Sequence, residues 1–193
     1  MSSAEPPRWP SDVQYLCTQR YHSSVPNNIR DHLLPKSQTR SLSSTAPPVS
    51  IKQVTTDNHP AKGQRGLFAT RKIPPRTHII DYVGEVHCDE RPNSDYDLSL
   101  YRSPEGVSVG VDASRVGNEA RFINDYRGVA LKPNALFEER RNAAGELCMA
   151  VWSGKEEVRK GQEILVSYGK GFWQARSSST AESACDACKL GSE

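Results

Sequence analysis

Long hydrophobic runs are missing from this chain. No apolar stretch approaches the roughly 20 residues that a bilayer-spanning helix needs, so no membrane association is expected. Cysteine is scarce: five residues, at 17, 88, 148, 185 and 188, are odd in number and irregular in spacing, which is not a disulfide framework. The segment Met1–Pro7 has neither a basic region nor an apolar core, so it does not read as a secretory signal. Both observations predict an intracellular, reducing compartment, nuclear or cytoplasmic. An excess of one charge is lacking too. Twenty-five Lys and Arg stand against 23 Asp and Glu, and a net charge of +2 gives no case for a nucleic-acid partner. The local basic run Lys62, Arg65, Arg71, Lys72 and Arg76 reads as a solvated strand face. Long helical periodicities are few, which leaves strands as the main building material.

Three regions differ in composition. Ser, Thr and Pro fill 20 of the first 50 positions, which argues against a separately packed unit. Trp9, Tyr15, Leu16, Tyr21, Ile29, Leu33 and Leu34 make that segment too apolar for a pure linker. Residues 1–48 therefore read as a partly ordered, partly disordered N-terminal arm, with one short helix near Asn27–Leu34 and a flexible join through Ser37–Pro48. Residues 49–175 read as a β-rich domain, and residues 176–193 as a flexible tail. Within the domain, Val49–Thr55, Gly66–Arg71, His78–Val86, Asp97–Tyr101 and Val107–Val111 have strand composition and are separated by turn residues. Asn134–Arg140 and Glu146–Trp152 form a hairpin over Asn142–Gly145, and Glu163–Tyr168 is the last strand. The fold class is mainly β, a β-rich α+β domain.

The stretch Gly117–Gly128 organises the rest: a polar opening, the apolar step Arg121-Phe122-Ile123, then the turn-forming Asn124-Asp125. Four other blocks surround it. They are Gly63-Gln-Arg-Gly66-Leu-Phe-Ala, Asp81-Tyr-Val-Gly-Glu85, Pro133-Asn134-Ala135, and Lys160-Gly-Gln-Glu-Ile followed by Tyr168-Gly169. In this order the blocks resemble the SET domain of protein lysine methyltransferases, over about Val49–Trp173.

That resemblance implies small curved sheets with a pseudoknot-like threading of the C-terminal segment past the Arg-Phe-Ile-Asn loop. It implies S-adenosyl-L-methionine as cofactor and, as partner, a monomeric enzyme's protein or peptide substrate presenting a lysine, a histone tail among the candidates. By the same resemblance Tyr168 is the catalytic tyrosine, with Tyr82 beside it. Tyr82, Phe137 and Val166 belong to the substrate channel, and Arg65, Gly66, Asn124, Asp125, Phe172 and Trp173 to the cofactor site. The chemistry suits these residue types. Methyl transfer requires alignment of a neutral amine with the methyl carbon, and aromatic walls hold a cationic amine through their ring faces.

The sequence departs from the family pattern in places. Asn-His-Ser-Cys becomes Asn124-Asp125-Tyr126-Arg127, and the first Gly of Gly-x-Gly is Gln64. The Cys-rich segment that precedes the domain in histone-directed relatives is missing. Cys185 and Cys188 supply two ligands where structural zinc needs four, so no metal is expected. Two other readings are a SET module that has lost activity and serves as a binding scaffold, and a small β-barrel adaptor.

Overall fold

A computed structural model describes residues 5–34, 46–169 and 173. In chain order the elements are β1 (Gln14–Tyr15), β2 (Arg20–Tyr21), α1 (Asn27–Leu33), β3 (Val49–Gln53), β4 (Arg65–Ala69), β5 (His78–Tyr82), β6 (Glu85–His87), β7 (Asp97–Arg102) and β8 (Ser108–Asp112). They continue with β9 (Val116–Gly117), the 3-10 helix η1 (Glu119–Phe122), β10 (Asn124–Asp125), β11 (Ala135–Arg141), β12 (Leu147–Ser153) and β13 (Leu165–Val166). The strands form small sheets with orders β2-β6-β8-β7, β11-β12-β5, β3-β4, β1-β9 and β10-β13. This is the mainly β class expected from the strand pattern.

The strand expected over His78–Val86 is two strands. At the break, a Cβ on Gly84 would stand 2.5 Å from the Asp112 carbonyl oxygen, so only glycine permits this approach of β6 to β8. The backbone groups freed by the break are taken by side chains. Gln19 donates to the Tyr82 carbonyl (2.8 Å) and accepts from the Gly84 N–H (2.9 Å), while Asn118 Oδ1 accepts from the Val83 N–H (3.2 Å). The hairpin β11–β12 forms as expected, with the Asn142 side chain accepting the N–H groups of Ala144 and Glu146 across the turn. Glu163–Tyr168 keeps only Leu165 and Val166 as strand. Asn134 claims its flanks, donating to the Glu163 carbonyl (2.8 Å) and accepting from the Leu165 N–H (2.9 Å).

In the arm, the helix lies at Asn27–Leu33, close to the expected position, and the described part of the segment packs on the domain. β1 pairs in parallel with β9, and β2 with β6. Val25, Ile29 and Leu33 join the main hydrophobic core, Leu33 with no exposure at all. Tyr21 donates to Glu146 (2.8 Å), and burial pushes the Glu146 carboxyl above its ordinary range. The Ser, Thr and Pro content concealed a sparse but complete set of core residues. Residues 37–45 of the expected join and the tail at 176–193 lie outside the described residues.

Arg91 fastens β6 to β8 through Glu85 (2.9 Å) and Asp112 (3.1 Å). Burial alone would raise both carboxyls. Hydrogen bonds from Arg91 and Arg20 to Glu85, and from Ser94, Ser114 and Arg91 to Asp112, outweigh it and hold both below the ordinary range. Carboxyls depressed in the folded state stabilise it above their unfolded values, near about 4, and that stabilisation fades as pH falls further. Arg91→Ala is expected to destabilise the protein by ~2–4 kcal/mol at neutral pH and to flatten the acid limb of the stability profile. Urea unfolding at several pH values measures both; an unchanged acid limb counts against this assignment.

Candidate functional site

A cavity of about 920 Å³ opens where η1 and β10 meet the turn at 59–65, Tyr82 of β5, the approach to β7, Phe137 of β11 and the C-terminal segment. The central stretch shapes it from below. Asn118 caps η1 by accepting the Ala120 N–H, and its Nδ2 donates to the Asp81 carbonyl at 2.8 Å. Arg121 is buried, donates to the carbonyls of Ala113 (2.8 Å) and Ser114 (3.3 Å), and lies 4.2 Å from the Tyr96 ring centre.

The last strand runs in parallel beside β10, with Asn124 opposite Leu165 and Asp125 opposite Val166. This register returns Tyr168 to the central loop. Its N–H donates to Asp125 Oδ2 at 2.7 Å and its hydroxyl to the Ile123 carbonyl at 2.6 Å. Tyr82 donates to the Tyr96 carbonyl at 2.8 Å and meets Phe137 edge-on at 5.8 Å between ring centres. Burial pushes the hydroxyls of Tyr82 and Tyr168 well above the ordinary phenol range, with the Asp125 charge adding to the effect at Tyr168. Both therefore stay protonated at neutral pH and serve as hydrogen-bonding groups, not as phenolate bases.

At the opposite side, Asn124 Nδ2 donates to Glu163 Oε1 (2.8 Å) and to the Arg65 carbonyl (3.3 Å). Glu163 in turn receives His59 Nε2 at 3.0 Å. His59 Nδ1 accepts the Ala61 N–H at 3.0 Å, so the ring proton sits on Nε2 and points at Glu163. Gly66 lies under this network. A Cβ there would stand 2.6 Å from Glu163 Oε1 and 3.2 Å from Asn124 Nδ2. Gly66→Ala is expected to push Glu163 off Asn124 and destabilise the fold by ~1–3 kcal/mol. Thermal melting measures the loss, and the Asn124 amide resonances would shift with it; unchanged resonances would mean that Glu163 yields without disturbing Asn124.

Of the residues singled out from the sequence, Arg65, Asn124, Asp125, Tyr82, Phe137, Tyr168 and Trp173 all line the cavity. Gly66 stands behind its wall. Val166 does not line it: the side chain is fully buried in the main core. Phe172 lies outside the described residues. The Asp125 side chain is engaged with protein groups, accepting from the Arg127 N–H (2.8 Å), the Arg127 guanidinium (2.9 Å), the Tyr168 N–H (2.7 Å) and Trp173 Nε1 (3.4 Å). Its carboxylate thus ties the central loop to the C-terminal segment.

The sequence reading missed His59, Glu163 as a side-chain partner, Arg121, and the arm residues Pro10, Asp12 and Val13, all of which touch the site or its wall. Glu163 sits in one of the quoted blocks, which was a usable signal. His59 and the arm residues carry none. No group of three or more His, Cys, Asp or Glu that could hold a metal occurs among the described residues, and Cys185 and Cys188 lie outside them.

Comparison with known proteins places this geometry. The chain is 26% identical over 115 residues to histone-lysine N-methyltransferase EHMT1 of Homo sapiens, a match covering 58% of this chain and 9% of that protein. It therefore spans a small part of that relative's length. The structure of ATXR5 in complex with mono-methylated histone H3.1 is similar at a TM-score of 0.59 and 17% identity, covering 82% of each chain. Autoinhibited ctPRC2 bound to S-adenosylmethionine is similar at a TM-score of 0.51 and 23% identity, over 72% of this chain and 17% of that one. At those identities the likeness is one of fold. The profile of the SET domain matches residues 64–169, a segment that holds Arg65, Gly66, Tyr82, Asn124, Phe137 and Tyr168, and the chain belongs to the SET domain family.

Proposed function

We propose that the protein is a lysine N-methyltransferase that uses S-adenosylmethionine and acts on a lysine of a protein, with a histone tail as the first candidate. The observation that carries this reading is the meeting of Tyr82, Phe137 and Tyr168 with Arg65 and Asn124 on one cavity. Support for the acceptor comes from EHMT1, named as a histone-lysine methyltransferase, and from ATXR5, seen with histone H3.1. A histone acceptor would place the protein in the nucleus.

The residues present fit the cofactor. Gly66 keeps the wall beside Asn124 free of a side chain, and the Arg65 carbonyl and Asn124 lie at that wall. Asn124 is fixed through Nδ2, which leaves Oδ1 to accept from a donor in the cavity. S-adenosylmethionine, when bound, supplies an electrophilic methyl group on a sulfonium. At the other end, Tyr82, Phe137 and Tyr168 form an aromatic wall that accommodates an ammonium and excludes water from it. Desolvation there favours the neutral amine, so the proton is lost without a dedicated base. The Tyr82 and Tyr168 hydroxyls spend their protons on the carbonyls of Tyr96 and Ile123. Their oxygens remain acceptors that can orient an amine N–H.

Calorimetry with S-adenosylmethionine tests the first half. Asn124→Ala is expected to weaken binding by ~1–3 kcal/mol, the cost of leaving buried partners unpaired; unchanged affinity would place the cofactor elsewhere. A methylation screen on peptide arrays, with sites mapped by mass spectrometry, tests the second half. Cofactor binding without transfer to any peptide or extract protein would favour the binding-scaffold reading, which the replacement of His by Asp125 motivates.

A further inference from the structure

The arm lies N-terminal to the segment that the family profile matches, yet it supplies part of the cavity wall through Pro10, Asp12 and Val13. Its turn is held from both sides. The Trp9 ring packs edge-on against Phe122 at 5.5 Å and Tyr15 at 5.0 Å, and its Nε1 donates to the Val13 carbonyl at 2.6 Å. Val13 is buried, and β1 begins at the next residue, paired with β9. Asp12 sits at the tip of this fixed turn. It is exposed, lines the cavity, and makes no ion pair or side-chain hydrogen bond among the described residues.

The cavity that Asp12 lines carries a charge pattern. Arg121 stands 4.9 Å from the Phe122 ring centre and 4.2 Å from that of Tyr96. Through Phe122 and Tyr96 this links the arm turn to the approach to β7, which contributes Asp95 and Asp97 to the same cavity. Tyr96 also accepts the Tyr82 hydroxyl, so these carboxylates border the aromatic end. His59, Arg65 and Arg127 border the end with Asn124 and Gly66. Asp97 is engaged by His87 at 2.9 Å, and Arg121 spends its donors on the carbonyls of Ala113 and Ser114. Asp12 is the carboxylate presented without such an engagement.

We propose that the arm turn Trp9–Val13 is a specificity element of the site, in which the Asp12 carboxylate receives a cationic side chain flanking the target lysine of a peptide substrate. The inference rests on the aromatic end being the lysine-binding end, as proposed above. It makes the preferred substrate a peptide with a second basic residue near the lysine, read by a segment outside the matched domain.

Labelled peptides with one central lysine, flanked on either side by Arg, Ala or Glu, test it by fluorescence anisotropy against the full chain and its Asp12→Asn and Asp12→Lys variants. The unmodified protein should bind the Arg-flanked peptide about five-fold more tightly than the Ala-flanked one, the range of a partly exposed ion pair. Asp12→Asn should erase that ratio and Asp12→Lys should turn it toward the Glu-flanked peptide, with melting temperature and S-adenosylmethionine affinity unchanged. In methylation assays the same variants should move KM and leave kcat in place. An Arg-to-Ala ratio equal in all three proteins overturns the proposal, as does a loss of affinity for every peptide alike. The expected binding pattern without methyl transfer supports the role of Asp12 and counts only against the transferase reading.

Discussion

Removal of residues 1–34 is expected to abolish cooperative unfolding of the remaining chain. The segment supplies Val25, Ile29 and Leu33 to the main core, and Val13 is buried as well. Each buried aliphatic side chain contributes about 1.5–3 kcal/mol, and the whole stability of a domain is only about 5–15 kcal/mol. The deletion also strips β9 of its partner β1, removes β2 from one edge of β6, and takes Gln19 from the backbone of Tyr82 and Gly84. The Glu146 carboxyl, in a buried setting, would lose the Tyr21 hydroxyl. Calorimetric melting of the shortened chain checks this, and a sharp transition near that of the full chain would show that the core forms without the arm. A milder version isolates the core contribution: Leu33→Ala should cost ~2–5 kcal/mol, depending on how far the cavity collapses.

Tyr168→Phe is expected to slow methyl transfer by ~10²-fold or more while leaving the protein folded. The change keeps the ring that lines the cavity and the backbone N–H that Asp125 accepts. It removes the hydroxyl that donates to the Ile123 carbonyl at 2.6 Å. Losing that bond should cost ~1–2 kcal/mol of stability. Transfer should suffer more, because the hydroxyl anchors the ring to the central loop and, in the proposed mechanism, its oxygen helps to orient the amine. Cofactor affinity should change little, since Asn124 and Arg65 lie on the other side of the network. Melting, calorimetry with S-adenosylmethionine and single-turnover rates on one variant separate these effects. A near-normal rate would remove Tyr168 from the chemistry, and a rate lost together with folding would make it a packing residue.

The strands were legible because alternation and turn residues record the local environment of each segment. Val49–Gln53, Ala135–Arg141 and Leu147–Ser153 fall within two residues of their expected bounds. The break at Gly84 was not legible, because its cause is the Asp112 carbonyl, distant in sequence. The same reason hid the arm: Leu33 looks like any leucine in a Ser- and Pro-rich stretch until the sheets that cover it exist. The motif blocks located Asn124, Tyr82 and Tyr168 on the cavity. They could not reveal that Val166 is buried in the core, since that depends on residues distant in sequence that pack over it. His59 and Asp12 were invisible because no block contains them. Each reaches the site only through a long-range contact, His59 through Glu163 and Asp12 through the seating of Trp9 on Phe122.

The parallel pairing of β10 with β13 also bears on how the site comes into being. The bond from Tyr168 to Asp125 closes a loop of 43 residues, and that from Tyr15 to Glu119 spans 104. Hairpins such as β11–β12 require only local closure and can form within microseconds. Contacts at such separations carry a larger entropic penalty and are made late. The aromatic wall and the Asn124 network should therefore appear together, at the end of folding, from pieces that have no binding capacity of their own. Hydrogen exchange would record this as a single opening event shared by the amides of Tyr126 and Tyr168, distinct from the faster fraying of the β11–β12 turn.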